Sequence, residues 1–202
     1  MRSYSEAGED LIALALLGEA PGTYVDVGAH LPVQASNTCL FYENGWSGTC
    51  IEPVRTLYEA LGAARPRDLC LHLAASNHDG ETTFYECRKE PDLSTTSALV
   101  ATGLKRDGYT LDAYTVLVRS LRSLAAEHGI ASPDLLSIDV EGLEKEVLEG
   151  TPFERWHPRV IIMESTVPRT FVPSYEPWEP LLLAQGYRLH TAVHVNRIYI
   201  RA

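Results

Sequence analysis

Tyr24-Val25-Asp26-Val27-Gly28-Ala29-His30 is a β-branched run that stops at a glycine turn, and Gly48-Thr49-Cys50-Ile51-Glu52-Pro53 is a second run that stops at an acid and a proline. Such runs, bounded by turn residues, read as buried strands, here 23–27 and 48–52. Between them, Ser36-Asn37 is placed to cap a helix through Tyr42 that stops before Asn44-Gly45. A helix over 55–64 follows, with Pro66 as its stop. Strand, helix, strand, helix is the opening of an α/β fold with a mainly parallel sheet.

The rest of the chain continues the alternation. Residues 5–17 carry apolar positions at helical spacing, ended by Gly18 and Pro21-Gly22. Residues 69–74 read as a third strand, Asp79-Gly80 as a tight turn, and 82–85 and 116–118 as further strands. A helix over 121–128, a strand over 135–140, a helix over 143–148 stopped by Gly150 and a strand over 160–164 follow. A helix over 178–184 ends at Gln185-Gly186, and 187–193 with 197–200, joined by His194-Val195-Asn196, read as a hairpin. From 89 to 114 the pattern weakens, interrupted by Pro91, Gly103 and Gly108. A stretch that long is expected to be functional, and it is the candidate substrate lid.

Composition narrows the function. Of 202 residues, 45% are hydrophobic and 22% charged, which suits one folded domain over 1–202 and excludes disorder. The net charge of −10, with Lys and Arg scattered, disfavours nucleic acid and an anionic membrane surface. No apolar run approaches the roughly 18 residues of a membrane span. Glu6, Glu9 and Asp10 precede the first apolar stretch, unlike the basic start of a signal peptide. Cys39, Cys50, Cys70 and Cys87 form no C-x-x-C pair, so buried thiols and a reducing, cytoplasmic setting are expected.

In open α/β sheets, ligands bind beyond the carboxyl ends of the strands. Glu52 lies 24 residues after Gly28, the separation of a ribose-binding carboxylate from its glycine turn. Yet Gly28 is alone where G-x-G-x-x-G would have three glycines, and a pyrophosphate needs that close backbone approach. One glycine plus a ribose acid suits an adenosine ligand without a pyrophosphate, such as S-adenosylmethionine, and disfavours a nicotinamide-dependent oxidoreductase.

The whole pattern resembles the FkbM-type family of S-adenosylmethionine-dependent methyltransferases. The residues that carry the resemblance are Tyr4-Ser5 with Glu9-Asp10, the run from Tyr24 to Pro32, Phe41 to Gly48 with Ile51-Glu52-Pro53, Ser137-Ile138-Asp139-Val140-Glu141-Gly142 with Glu144, Val147-Leu148-Glu149-Gly150, Gly186-Tyr187, and Asn196-Arg197. The resemblance implies a Rossmann-like seven-stranded sheet with helices on both faces and an antiparallel C-terminal hairpin, the class I methyltransferase architecture. It also implies methyl transfer, usually to a hydroxyl oxygen of a small molecule, sugar or natural product. One departure is Leu31, where bacterial members often have an acid.

The expected cofactor contacts are Ser5, Asp10, Asp26, Gly28, Ala29, Ser36, Asn37, Glu52, Ala75, Ser76 and Asp139. By resemblance, Asp26 and Gly28 line the methionine end, Glu52 takes the ribose hydroxyls, and the turn at Ala74-Ala75-Ser76 admits the adenine. Ser5, Glu9 and Asp10 either close over the cofactor or simply start a helix with acids in its first turn. Asp139 and Glu141, two apart on a strand, would share a face, with Glu164 ending the neighbouring strand. Three such oxygen ligands would suit Mg²⁺; alternatively Asp139 contacts cofactor or acceptor and Glu141 caps the next helix. The candidate bases for an acceptor hydroxyl are Asp139, Glu141, His30 and His194. Trp46 and Trp156 read as packing residues, and Tyr109 and Tyr114 as candidates to close an acceptor pocket. The expected partner is a small-molecule acceptor, with a homodimer left open. N- or C-methylation on the same scaffold and a non-catalytic cofactor-binding relative are the alternatives.

Overall fold

A computed structural model describes residues 2–168 and 170–202. In chain order the elements are α1 (Glu9–Leu17), β1 (Thr23–Val27), α2 (Cys39–Glu43), β2 (Ser47–Ile51), α3 (Arg55–Ala64), β3 (Leu69–Leu71), β4 (Ala74–Ser76), β5 (Gly80–Glu86), α4 (Ala98–Arg106), β6 (Asp112–Ser120), α5 (Leu121–His128), β7 (Leu135–Ile138), α6 (Glu144–Glu149), β8 (Val160–Glu164), α7 (Glu179–Ala184), β9 (Tyr187–Val193) and β10 (Asn196–Arg201). Seven strands form the main sheet in the order β3-β2-β1-β7-β8-β10-β9. All pairs up to β8 are parallel, and β10 runs antiparallel to both β8 and β9.

The central strands are buried on both faces, which is why they read as continuous apolar runs rather than alternating ones. Successive residues point to opposite faces. Val25, Val27, Leu136, Ile138, Ile161 and Met163 pack under Leu124 of α5, Val147 of α6 and Leu182 of α7. Tyr24, Leu135, Ile162 and Ile198 pack on the other face, under Ala13 and Leu14 of α1, Phe41 of α2 and Leu61 of α3. Trp46 and Trp156 are buried packing residues, Trp46 meeting Phe41 edge-on at 4.9 Å. Among the described residues no helix is long and apolar enough to cross a membrane.

Four expectations are corrected. The run 69–74 is not one strand. β3 stays in the main sheet, whereas β4 pairs in parallel with β6 in a separate three-stranded sheet, β4-β6-β5. Asp79-Gly80 therefore closes no hairpin between β4 and β5, because β6 lies between them; Asp79 instead accepts hydrogen bonds from the Ser120 N–H and the Ser123 hydroxyl. The weak stretch 89–114 contains α4, capped by the Ser97 hydroxyl, and the start of β6. Leu93, Ala101 and Leu104 are buried, and Leu93 and Leu104 share a small cluster with Cys87 that Val100 and Tyr109 pack against. Finally, α1 begins at Glu9, leaving Ser5 in the turn before it.

The carboxyl ends of β1 and β7 meet at Gly28. Its φ is +80°, and a Cβ there would lie 1.7 Å from the Asp139 carbonyl oxygen. The adjacent Asp139 N–H bonds the Val27 carbonyl at 2.9 Å. The glycine is thus demanded by the chain's own backbone. Gly28→Ala is expected to lower stability by about 3 kcal/mol or more, combining overpacking with a left-handed backbone penalty. Urea unfolding measures it; a midpoint like the wild type's would show that the β1 and β7 ends can separate at no cost.

Candidate active site

Beyond the carboxyl ends of β1, β2, β7 and β8 lies a cavity of about 390 Å³, within the range of roughly 300–1,000 Å³ usual for small-molecule sites. On its β1–β2 side are Asp26, Gly28, Ala29 and Glu52, with Ser36 and Asn37 from the loop before α2. Ile51, Val54, Ala74, Ala75 and Phe84 make an apolar wall. On the β7–β8 side are Asp139, Glu141 and Glu164, faced by His30, His194 and Asn196.

Glu52 ends β2 with both oxygens oriented by backbone donors: the His30 N–H reaches one at 2.9 Å and the Val54 N–H the other at 2.7 Å. Burial nevertheless pushes its carboxyl up to about 7, against those two donors. Asp26 accepts a hydrogen bond from the Thr38 hydroxyl at 2.5 Å. Thr38 in turn accepts from Arg65 at 2.8 Å. Burial raises the Asp26 carboxyl, with Thr38 and Arg65 opposing it.

Arg65 went unremarked in the sequence, where it follows a helix and precedes Pro66. It is 1% exposed. Besides Thr38 it donates to the Pro32 carbonyl and, at 2.7 Å, to the Ser36 hydroxyl. Ser36 also accepts the N–H groups of Thr38 and Cys39, so it braces the start of α2 from two residues before the N-cap position, Thr38. Asn37 donates to the Ser137 hydroxyl at 3.2 Å. A cation buried in this way fixes the loop that faces the cofactor side of the cavity.

Not every expected site residue reaches the cavity. Asp10 and Ser5 do not line it. The buried Asp10 carboxylate gathers the Ser3 hydroxyl, the Tyr4 N–H and the Ser5 hydroxyl at 2.7, 2.7 and 2.8 Å, which shapes the N-terminal turn and leaves Glu6 on the cavity wall. Ser76 lies in β4 beyond the cavity, while Ala75 lines it. Tyr114 donates to Glu86 and packs on Phe84, and Tyr109 packs with the Cys87 cluster, so neither borders the cavity. Leu31 packs against the Val54–Phe84 cluster. Residues missed in the sequence include Phe84, Thr96 and Asn196, all on the wall. Phe84 sits in a recognisable strand, but only the second sheet's folding brings it here.

Asp139 and Glu141 converge for a different reason from the one expected. β7 ends at Ile138, so they share no strand face. Glu141 instead adopts a left-handed φ of +56°. With Glu164, their carboxylate oxygens lie within 4.8 Å of one another. Glu141 does not cap α6, whose N-cap position is Leu143 with no side-chain cap; Glu144 instead accepts the Gly142 N–H of the preceding turn at 3.0 Å. Burial pushes Asp139 up to about 7, with Glu144 adding repulsion, and burial followed by Asp139 raises both Glu141 and Glu164. Burial lowers His30, which keeps its ring neutral at pH 7, and its Nε2 has no partner among the described residues. His30, Ala35, Glu141 and His194 are the described non-glycine residues with positive φ, and every one lines the cavity. Backbone strain of this kind collects at functional sites.

A strand order of 3-2-1-7-8-10-9 with an antiparallel β10, and a cavity at the strand ends, defines a class I methyltransferase fold. The sequence matches the Methyltransferase FkbM domain over residues 26–189, so the chain belongs to the FkbM methyltransferase family. Solved structures agree on the fold. An FkbM methyltransferase from Methylobacillus flagellatus superposes with a TM-score of 0.54 at 16% identity, over 89% of this chain and 43% of that one. This chain therefore spans less than half of that protein's length. An O-methyltransferase from Bacillus cereus in complex with S-adenosylhomocysteine gives 0.51 at 11% identity, over 98% of this chain and 82% of that one. The 1,6-didemethyltoxoflavin-N1-methyltransferase of Burkholderia thailandensis gives 0.52 at 11% identity, over 96% and 76%. No curated protein compared with the sequence matches it.

The residues present fit S-adenosylmethionine, the cofactor that the family implies: the backbone-fixed Glu52 carboxylate would suit its ribose, the apolar wall a flat adenine, and the acids a sulfonium cation. The same acids set the pH dependence of stability. Glu52 and Asp139 bind their protons near pH 7 in the folded chain and near pH 4 when unfolded. Between those values the folded state holds more protons, so stability falls as pH rises through the window. The urea midpoint of the ligand-free protein should be lower at pH 8 than at pH 5.5, and Asp139→Asn should flatten the slope. A midpoint that rises over this interval would contradict the raised values.

Proposed function

We propose that this methyltransferase acts on a hydroxyl oxygen of a small-molecule acceptor, a sugar or natural product. One observation supports the reading most: the cavity has two chemically different halves. In the half around Asp26 and Glu52, the carboxylates are met by donors of the chain itself. In the half around Asp139, Glu141 and Glu164, oxygens of Glu141 and Glu164 and the Nε2 of His30 have no partner among the described residues. The first half suits a bound cofactor; the second suits groups that exchange a proton.

S-adenosylmethionine supplies an electrophilic methyl group on a sulfonium. In this reading Glu52 accepts the ribose hydroxyls, and Gly28 and Asp26 border the methionine end. Asp139 stands between the halves. A carboxyl whose value lies near 7 is well matched to take a proton from an acceptor hydroxyl at neutral pH, an effect of about 10²–10⁴-fold. The neutral His30 is the second base within the same half. The remaining acceleration comes from aligning the acceptor oxygen with the methyl group. The reading includes Mg²⁺ at Asp139, Glu141 and Glu164 as the group that would hold the acceptor hydroxyl.

Two variants test the assignment. Glu52→Ala is expected to weaken S-adenosylhomocysteine binding at least tenfold, about 1.4 kcal/mol, by calorimetry; unchanged affinity would remove Glu52 from ribose binding. Asp139→Asn is expected to lower turnover, read as S-adenosylhomocysteine release in an acceptor screen, more than it lowers affinity for that product. Full turnover on a hydroxyl acceptor in this variant would take Asp139 out of the mechanism.

A further inference from the structure

We infer that the acid cluster at the ends of β7 and β8 binds a hard divalent cation of the Mg²⁺ or Mn²⁺ type, with the side-chain oxygen of Asn196 as a fourth protein ligand. The cation's use in methyl transfer rests on the proposed function; its binding does not.

The carboxylate oxygens of Asp139, Glu141 and Glu164 lie within 4.8 Å of one another. No Lys or Arg is among the described residues lining this cavity. Three acids this close, with no Lys or Arg among the described residues of the lining, can ionise together only against strong mutual repulsion, which a bound cation would relieve. Glu164 is 5% exposed, yet its Oε2 has no hydrogen-bond partner among the described residues. Buried polar oxygens are nearly always satisfied, and exceptions call for an unseen ion, water or proton.

Asn196 is the independent observation. It is 4% exposed, lines the cavity and has an orphaned Oδ1. Its amide orientation is set by a neighbour that can only accept. Its Nδ2 donates to Glu9 Oε1 at 3.0 Å, and Glu9 is itself fully buried, with its second oxygen accepting the Ala7 N–H at 2.9 Å. The amide is therefore locked with its nitrogen toward α1 and its oxygen on the opposite edge. Asn196 stands directly across from Glu164 in the antiparallel β8–β10 register. Opposed residues share a sheet face with Cβ atoms about 5 Å apart. A neutral amide oxygen is thus held beside the acid whose own oxygen is orphaned.

Four oxygens and no sulfur or imidazole define a hard-cation donor set. Mg²⁺ keeps several waters, so positions remain for an acceptor oxygen. An acceptor hydroxyl in that position would lose its proton more readily, to His30 on the facing wall, as the cation stabilises the resulting alkoxide. Glu9 then has a role that its place in the first turn of α1 does not announce: it positions a ligand from the far end of the chain.

The test is titration of the EDTA-treated full chain with MnCl₂, reading free Mn²⁺ by electron paramagnetic resonance, then displacement with MgCl₂. One Mn²⁺ per chain, displaced by Mg²⁺, is expected. Glu164→Gln and Asn196→Leu should each weaken it at least tenfold. Thermal unfolding adds a second readout. Mn²⁺ should raise the wild-type Tm, and Glu164→Gln should abolish that shift. Absence of stoichiometric Mn²⁺ on the wild type overturns the proposal in favour of a cluster held by shared protons. Equal Mn²⁺ affinity in wild type and both variants overturns it too. If Glu164→Gln does not fold, Asn196→Leu and the wild-type Tm series decide. S-adenosylhomocysteine titrated in EDTA separates the two readings: binding there without any Mn²⁺ site sinks only the cation, and Mn²⁺ without S-adenosylhomocysteine sinks only the methyl-transfer reading.

Discussion

Asp26 and Glu164 lie at the ends of β1 and β8, Glu52 and Asp139 follow the ends of β2 and β7, and the fold gathers their carboxylates at one edge of a sheet covered on both faces. Desolvating carboxylates is the constraint around which the neighbourhood is arranged. Two backbone N–H groups meet Glu52. A Thr38–Arg65 relay meets Asp26, and the same guanidinium ties down the loop through Pro32 and Ser36. Along the edge toward β8 this support runs out, and the orphaned oxygens of Glu141, Glu164 and Asn196 collect there. The well-supported end holds its shape without a ligand; the under-supported end is left with capacity to bind one.

The cavity is closed by parts that are not in the main sheet. β4, β5 and β6 form a separate sheet whose Ala74, Ala75 and Phe84 supply the apolar wall. Residues 91–96, ahead of α4, border the opening, and Thr95 donates to the Glu141 carbonyl at 2.9 Å. That bond links the candidate lid to the strained turn that aims Glu141 inward. Strain in that turn is held by neighbours on both sides: Thr95 on one, and Glu144 through the N–H of Gly142 on the other. The segment expected to choose the acceptor is thus mechanically joined to the acid cluster.

Much of this was legible in the chain. The buried strands announced themselves because a sheet covered on both faces needs continuous apolar runs, and the acids that end them stood out against those runs. Glu52, Asp26, Gly28 and the 139–141 block were readable on that ground, aided by family resemblance. Arg65 was not, since a lone arginine after a helix carries no sign of burial. Asn196 and Glu9 were recognisable as motif residues, but 187 positions separate them and nothing local pairs them. Ser5, Asp10, Ser76, Tyr109 and Tyr114 carried suitable chemistry for the cavity and are turned to structural contacts around it.

The sequence by itself determined the sheet, its mainly parallel character and the acids at its carboxyl edge, because periodicity, turn residues and strand-ending acids are local signals. Tertiary structure alone decided which of those acids are satisfied and which are left open. It also decided that Gly28 answers to the Asp139 carbonyl, that the 69–76 run divides between two sheets, and that Asn196 gives its amide nitrogen to Glu9. Each depends on groups brought together from distant parts of the chain, and a hydrogen bond or a steric clash between such groups leaves no trace in the spacing of residues along it.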